Sequence, residues 1–146
     1  MKQLIFGTNN DWVGLILRLT TGLIMFPHGA QKTLGWFGGP GFSNEMEHLQ
    51  HLGISWIIAL MVILIEFFGA ISLVLGFASR LWAFAFIILF IGIIFTAHIQ
   101  YGFFMNWFGK QQGEGFEYHL LVIGLCLALL LNGSGKLSLD NLITSK

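Results

Sequence analysis

Two ionisable residues sit where this chain can least easily carry them. Arg18 lies inside an apolar run that starts near Trp12, and Glu66 lies inside a second run that ends near Gly76. At about 1.5 Å of rise per helical residue, Arg18 is roughly 10 Å from the start of its run and Glu66 roughly 15 Å from the end of its own. A lone charge at such depth in hydrocarbon costs several kcal/mol, so charges there pair with each other or mark a site. Opposite signs at similar depths predict a buried ion pair between Arg18 and Glu66.

A second group gathers at helix ends. His28, Gln31 and Lys32 close the first apolar run, His98 and Gln100 close the third, and Glu117 and His119 open the fourth. In an up-and-down topology these ends share one side and form a polar mouth over an apolar bundle, a usual geometry for a small-molecule pocket. Histidine donates and accepts protons near neutral pH. The expected binding residues are Arg18, His28, Gln31, Lys32, Gln100, Glu117 and His119, with Glu66 and His98 as proton-relay groups. His28, His98, Glu117 and His119 have donor atoms suited to a metal. None of them is at the i, i+4 spacing of a helical metal pair, and Glu117 and His119 point to different faces, so no metal is expected. Glu45, His48 and His51, three residues apart, read as solvated polar side chains. A quinone fits better. Its two carbonyl oxygens need donors, its chemistry needs a proton route, and its tail needs lipid access. Histidine, glutamine and arginine supply the donors, Glu66 relays protons, and Phe95, Phe103, Phe104 and Trp107 offer rings to stack on it. The cofactor expectation is therefore a non-covalently held quinone.

Four apolar runs must position these groups. The chain of 146 residues is 55% hydrophobic and 10% charged, with a mean hydropathy of +0.78. Soluble domains carry about 25% charged residues. In lipid each backbone amide must bond within its own segment, so runs of this length become helices. The sequence predicts an all-α integral membrane four-helix bundle, one domain over 1–146, with spans at about 12–31, 54–76, 81–100 and 116–132. Gly76 to Arg80 reads as a tight turn. In the first long connection, 43–52 reads as a short interfacial helix capped by Ser43, with Met46, Leu49 and Leu52 at helical spacing. The second long connection is rich in Gly, Phe and Trp, which favour the headgroup layer. Lys2, Arg80, Lys136 and Lys146 fall on one side, and Lys32 and Lys110 on the other, which predicts both termini inside. The first apolar run lacks a small-residue cleavage site and reads as a retained helix. FPHGAQ before GWFG and FTAHIQ before NWFG fit two similar helical hairpins, and fit equally well the common design of membrane-helix ends.

Other classes are excluded. Cys126 is the single cysteine, so an intramolecular disulfide, a CxxC pair and a cysteine-rich zinc site are impossible. Net charge is zero and no basic patch alternates with aromatics, so nucleic acid is not an expected partner.

The stretches RLTTGLIMFPHGAQKTLGWFGG, EFFGAISLVLGFASRL, AHIQYGFF and GFEYHLLVIGLCLALLLNGSGKLSLD together resemble the DoxX family of small bacterial membrane proteins. The resemblance covers nearly the whole chain. It implies a four-helix bundle in the bacterial plasma membrane and an oxidoreductase label, since similar proteins include small subunits of a thiosulfate:quinone oxidoreductase. Other members are linked to thiol and superoxide defence. The polar positions that match the family pattern are Arg18, His28, Lys32, Glu66, Arg80, His98, Glu117 and His119.

Three readings of function follow. The first is a membrane redox component that binds a quinone or a similar amphipathic molecule. The chain has no haem-attachment motif or dinucleotide fingerprint, so its electrons would come from a partner or a soluble substrate. The second is a non-catalytic membrane partner that docks soluble redox or defence enzymes. The third is a small transporter built as a homo-oligomer, with Gly69, Gly76 and Gly92 allowing close helix contacts.

Overall fold

A computed structural model describes residues 2–145. Among the described residues it contains no strand, one short 3-10 turn at Trp36–Gly38, and seven longer helices: α1 (Lys2–Phe6), α2 (Trp12–Leu34), α3 (Gly41–His51), α4 (Trp56–Leu75), α5 (Ser79–Tyr101), α6 (Glu117–Asn132) and α7 (Leu139–Thr144). By length and composition α2, α4 and α5 can each cross a membrane. The shorter α6 has 16 residues, about 24 Å of rise, which is less than the roughly 30 Å of a hydrocarbon core.

The long helices alternate in direction and pack as neighbours. α2 lies against α4 and α6, and α5 lies against α6 and α4. Their shared core holds Met25 of α2, Ala70 and Leu73 of α4, Ala83, Phe86 and Phe90 of α5, and Val122, Cys126 and Leu129 of α6. Many large apolar side chains point outward instead, among them Ile16, Leu23, Ile57, Phe84 and Leu121. That inverted distribution is what lipid-facing helices require.

Two glycines bring α2 and α4 into backbone contact. A Cβ on Gly22 would stand 2.9 Å from the Ala70 carbonyl oxygen, and one on Gly29 would stand 2.6 Å from Phe67 Cα. Seven residues separate them, two turns along one face. The glycines expected to make close contacts behave differently from one another. Gly69 meets Trp82 and Phe86, Gly76 meets Ser138, and Gly92 faces open space.

α3 begins at Gly41 behind Pro40, and no side chain caps it. Ser43, expected to be the cap, is already inside the helix. Proline, with its φ preset for helix, starts the helix two residues earlier. Met46 and Leu49 are buried against Ala59 and Ile63 of α4, while Leu52 terminates the helix and is exposed.

The expected pair of Arg18 and Glu66 does not form. Arg18 is 1% exposed and spends its guanidinium on backbone carbonyls: Ser134 at 3.0 Å, Leu73 at 3.3 Å, Lys136 at 3.2 Å, Leu137 at 2.7 Å, and Val74. Two of these acceptors, Leu73 and Val74, lie in the last turn of α4, where the Leu73 carbonyl also accepts from the Gly76 amide at 3.1 Å. Asp140, also buried, accepts from the backbone amides of Ala78 at 2.6 Å and Ser79 at 3.0 Å and from the Ser134 hydroxyl. Gly133 and Gly135 take positive φ angles of 83° and 72° so that the chain after α6 can pass under the start of α2. Space there is so tight that a Cβ on Gly14 would meet Gly135 N at 2.5 Å. Asp11 caps α2, accepting from Gly14 N at 2.9 Å and Asn132 Nδ2 at 3.1 Å. The Gly14 amide bond, followed by the Asn132 bond, holds the Asp11 carboxyl below its usual range.

Candidate functional site

At the opposite end from this knot, α2, α4, α5 and α6 leave a cleft of about 260 Å³. Its wall includes His28 and Lys32 from α2, Glu66 from α4, His98 from α5 and Tyr118 and His119 from α6. Met25, Phe90 and Ile93 form its apolar side, and Met105 and Glu114 form its rim.

Local backbone departures deliver two of these groups. α4 contains a π-helical turn at Ile65–Gly69 and α5 a second at Ile94–His98. A π-turn inserts one residue into the helical ladder and is enriched at functional sites. Glu66 and His98 sit in these turns. The two bulges fall in the second and third long helices, so they do not follow the hairpin duplication suggested by the sequence.

Lys32 Nζ is 2.7 Å from Glu66 Oε1, and this is the ion pair Glu66 actually makes. The ammonium also lies 4.0 Å from Glu45 Oε1, on α3. Glu45 is thus buried and facing a cation, not a solvated surface side chain. Gly29 explains the geometry. It sets the α4 backbone at Glu66 against α2, and Lys32 stands one turn further along α2. A four-carbon stem can then reach back to the carboxylate.

The histidines sit close together. The rings of His98 and His119 are 4.2 Å apart between centroids, and His28 lies 6.5 Å from the Tyr118 ring. His98 Nδ1 is 2.8 Å from the Glu114 carbonyl oxygen. A carbonyl only accepts, so Nδ1 carries the proton and Nε2 of a neutral His98 is an acceptor. Glu66 is 2% exposed and His119 is 7% exposed. Glu66 Oε2 and His119 Nδ1 are buried without a hydrogen-bond partner. Buried polar atoms are nearly always paired, so two orphans lining one cleft need an explanation. Among the described residues, no three His, Cys, Asp or Glu side chains converge in a way that would hold a metal ion.

The other expected binding residues serve elsewhere. Arg18 belongs to the knot at the far end. Gln31 donates to the Phe37 carbonyl at 3.3 Å and packs against the turn that follows α2. Gln100 is exposed at the end of α5 and does not line the cleft. Glu117 accepts from Met105 N at 3.2 Å and Trp107 Nε1 at 2.9 Å. It clamps the loop before α6 and sits behind the rim. Phe95, Phe103, Phe104 and Trp107, expected to stack on a ligand, are exposed, Trp107 to 76%. Phe90 and Tyr118 supply the aromatic wall instead. Sequence reasoning did not pick out Tyr118 or Glu114, and it read Glu45 as solvated. Tyr118 is adjacent to His119 in the first turn of α6, and that adjacency was the available signal.

Comparison with known proteins adds a family to this geometry. The chain is 32% identical over 126 residues to the protein named "Putative oxidoreductase CatD" of Bacillus subtilis, covering 86% of this chain and 83% of that protein. It is 27% identical over 118 residues to "Inner membrane protein YqjF" of Escherichia coli, covering 78% of this chain and 83% of that one. No solved structure matches. The DoxX family profile matches residues 13–99, from the first turn of α2 to the end of the π-turn in α5. That span contains Lys32, Glu66 and His98, three of the polar groups that meet in the cleft, and the chain belongs to the DoxX family.

Proposed function

We propose that this protein is a redox-linked component of the bacterial inner membrane that binds a quinone-class headgroup in the cleft between its helices. In this reading residues 1–146 form one domain, a four-helix bundle with α6 as the fourth span and both termini inside. Its partners are lipid and a soluble electron donor. The observation that carries the reading is the meeting of Lys32, Glu66, His98 and His119 in one cleft with two buried polar atoms left unpaired.

The cleft's size supports a headgroup and no more. About 260 Å³ is just below the roughly 300 Å³ at which pockets for whole drug-sized ligands begin. A single ring fits, and an isoprenoid tail would stay outside among the exposed apolar side chains. The residues present suit such a ring. Lys32 can donate to an oxygen, Glu66 and His98 Nε2 can accept a proton, and Phe90 and Tyr118 bound the ring on its apolar side. A bound quinone would supply two-electron, two-proton chemistry. The chain's own part is to hold the ring, orient its oxygens and carry protons between the cleft and the rim. The names of the two relatives, "Putative oxidoreductase" and "Inner membrane protein", agree with this reading.

Purified protein in detergent should be stabilised against heat by a short-chain quinone. It should also speed the direct reduction of that quinone by a chemical reductant, by holding the ring and supplying protons, and His98→Ala should lose both effects. Absence of stabilisation by any quinone or quinol in the wild type would sink the reading. A second reading, docking of a soluble enzyme, is favoured by one feature: the exposed cluster of Phe103, Phe104, Trp107 and Phe108 on the loop before α6. Recovery of a stable soluble partner, lost on Trp107→Ala with no change in electron transfer, would support it.

A further inference from the structure

The unpaired atoms restrict which oxidation state the cleft can hold well. Glu66 is a carboxylate in contact with an ammonium, so Oε2 is purely an acceptor. His98 Nε2 is an acceptor because Nδ1–H is committed to Glu114. His119 Nδ1 is an acceptor or a donor according to its tautomer. A ligand oxygen that only accepts can take a hydrogen bond from Lys32 but leaves the buried Glu66 Oε2 unmet. A hydroxyl accepts from Lys32 and can also donate to Glu66 Oε2, and a hydroxyl suits His119 Nδ1 in both tautomers. Charge bears on the ring's ionisation and not on its oxidation state. One ammonium, Lys32, faces two carboxylates, Glu66 and Glu45. The local excess of negative charge disfavours anionic rings and leaves neutral ones.

We infer that the cleft is selective for neutral rings bearing free hydroxyl groups, the dihydroxy (quinol) state of a lipid-soluble ring, over the corresponding quinone. This rests on the reading of the cleft as the ligand site. It also assigns Glu66 as the residue that sets selectivity. A buried acceptor left without a donor is penalised more heavily than a formed bond is rewarded, so selectivity follows from the unmatched atoms.

The test compares three probes on the full-length wild-type protein in detergent under anaerobic conditions: a decyl-substituted 1,4-hydroquinone, its quinone and its dimethyl ether. Binding is read by titration calorimetry. The hydroquinone should bind at least ten-fold more tightly than the quinone, and the ether no better than the quinone. Glu66→Gln should reduce the preference for hydroquinone to within three-fold. His119→Phe should also reduce it, and serves if the Glu66 variant fails to fold. Quinone binding equal to or tighter than hydroquinone binding would overturn the inference and leave the cleft as a quinone site. Binding of the ether as tight as the hydroquinone would show that the hydroxyls are not read, and would overturn it too. Failure of all three probes to bind would overturn both the inference and the reading beneath it.

Discussion

Removing the Lys32 ammonium while keeping its stem, as in Lys32→Met, leaves the Glu66 carboxylate buried without a counter-charge. The side chain of Glu66 is 3% exposed and that of Lys32 is 24% exposed. Breaking a buried pair by deleting one partner costs about 3–5 kcal/mol, and the partial exposure of Lys32 puts this case near the lower end, about 3 kcal/mol. Glu66→Gln in the Lys32→Met background removes the stranded charge and should return most of that loss. Equilibrium unfolding in mixed micelles, run as a double-mutant cycle, should therefore give a coupling of about 2 kcal/mol between Lys32 and Glu66. The same cycle on Arg18→Met and Glu66→Gln should be additive within about 0.5 kcal/mol. The two share no hydrogen-bond partner, and Arg18 meets α4 at Leu73 and Val74, about 11 Å along the axis from Glu66. A coupling below about 0.5 kcal/mol for Lys32 with Glu66, or a larger one for Arg18 with Glu66, would refute the assignment of the pair.

Three further outcomes are expected. Gly29→Ala forces a methyl group against the Phe67 and Glu66 backbone, which cannot yield as a flexible side chain would. It should cost about 1–3 kcal/mol in the same unfolding assay and weaken ligand binding together with stability. Arg18→Lys cannot reproduce a planar fork serving five carbonyls, and should cost at least about 3 kcal/mol with little effect on ligand affinity in the protein that remains folded. Asp11 is held in its charged form by the cap of α2, so its stabilisation is fully present above the usual aspartate range. It is lost as pH falls through the lowered folded-state value. The gap in melting temperature between wild type and Asp11→Ala should be constant near neutrality and narrow toward acid, and a gap that widened would contradict the cap.

The helices were legible because run length and composition leave lipid-spanning chains few alternatives. The ion pair was misread because depth was counted from the ends of apolar runs, as if Trp12 and Gly76 were level. In the structure Gly76 is level with Arg18, whose Cζ lies 3.1 Å from the position of a Gly76 Cβ. That offset of six residues, about 9 Å, carries Glu66 outward to the level of Gly29 and within reach of Lys32. The register is set by the contacts of Gly22 and Gly29 with α4 and by the segment after α6 wedged beneath α2. Both are tertiary features that a hydropathy profile does not contain. The π-turns were invisible for a related reason. IEFFG and IFTAH hold no proline, so nothing local marks where the helical ladder takes in an extra residue. The cleft's histidines were legible as types at helix ends. Glu117 and Gln31, at the same ends, were indistinguishable from them until the loops they fasten were seen.

Arg18 and Glu66 look equivalent in sequence, each a charge in an apolar helix, and hydrogen bonding separates them. Arg18 has its donors met by carbonyls at the end of α4 and in the segment after α6. Such a group has nothing left to offer a ligand, and its natural effect is to tie three parts of the chain together. Glu66 has one oxygen met by Lys32 and one met by nothing, in a cleft where His119 is in the same condition. Leaving a buried acceptor unpaired costs about 1–3 kcal/mol, more when it is charged. Buried unpaired atoms also occur at the other end, at Ser79 Oγ and Arg80 Nε, so an orphan alone does not mark a site; in the cleft two of them line one space that a further molecule can enter. The end that holds Arg18 is therefore the fastening of the fold, and the end that holds Glu66 is where a ligand would complete the hydrogen bonding.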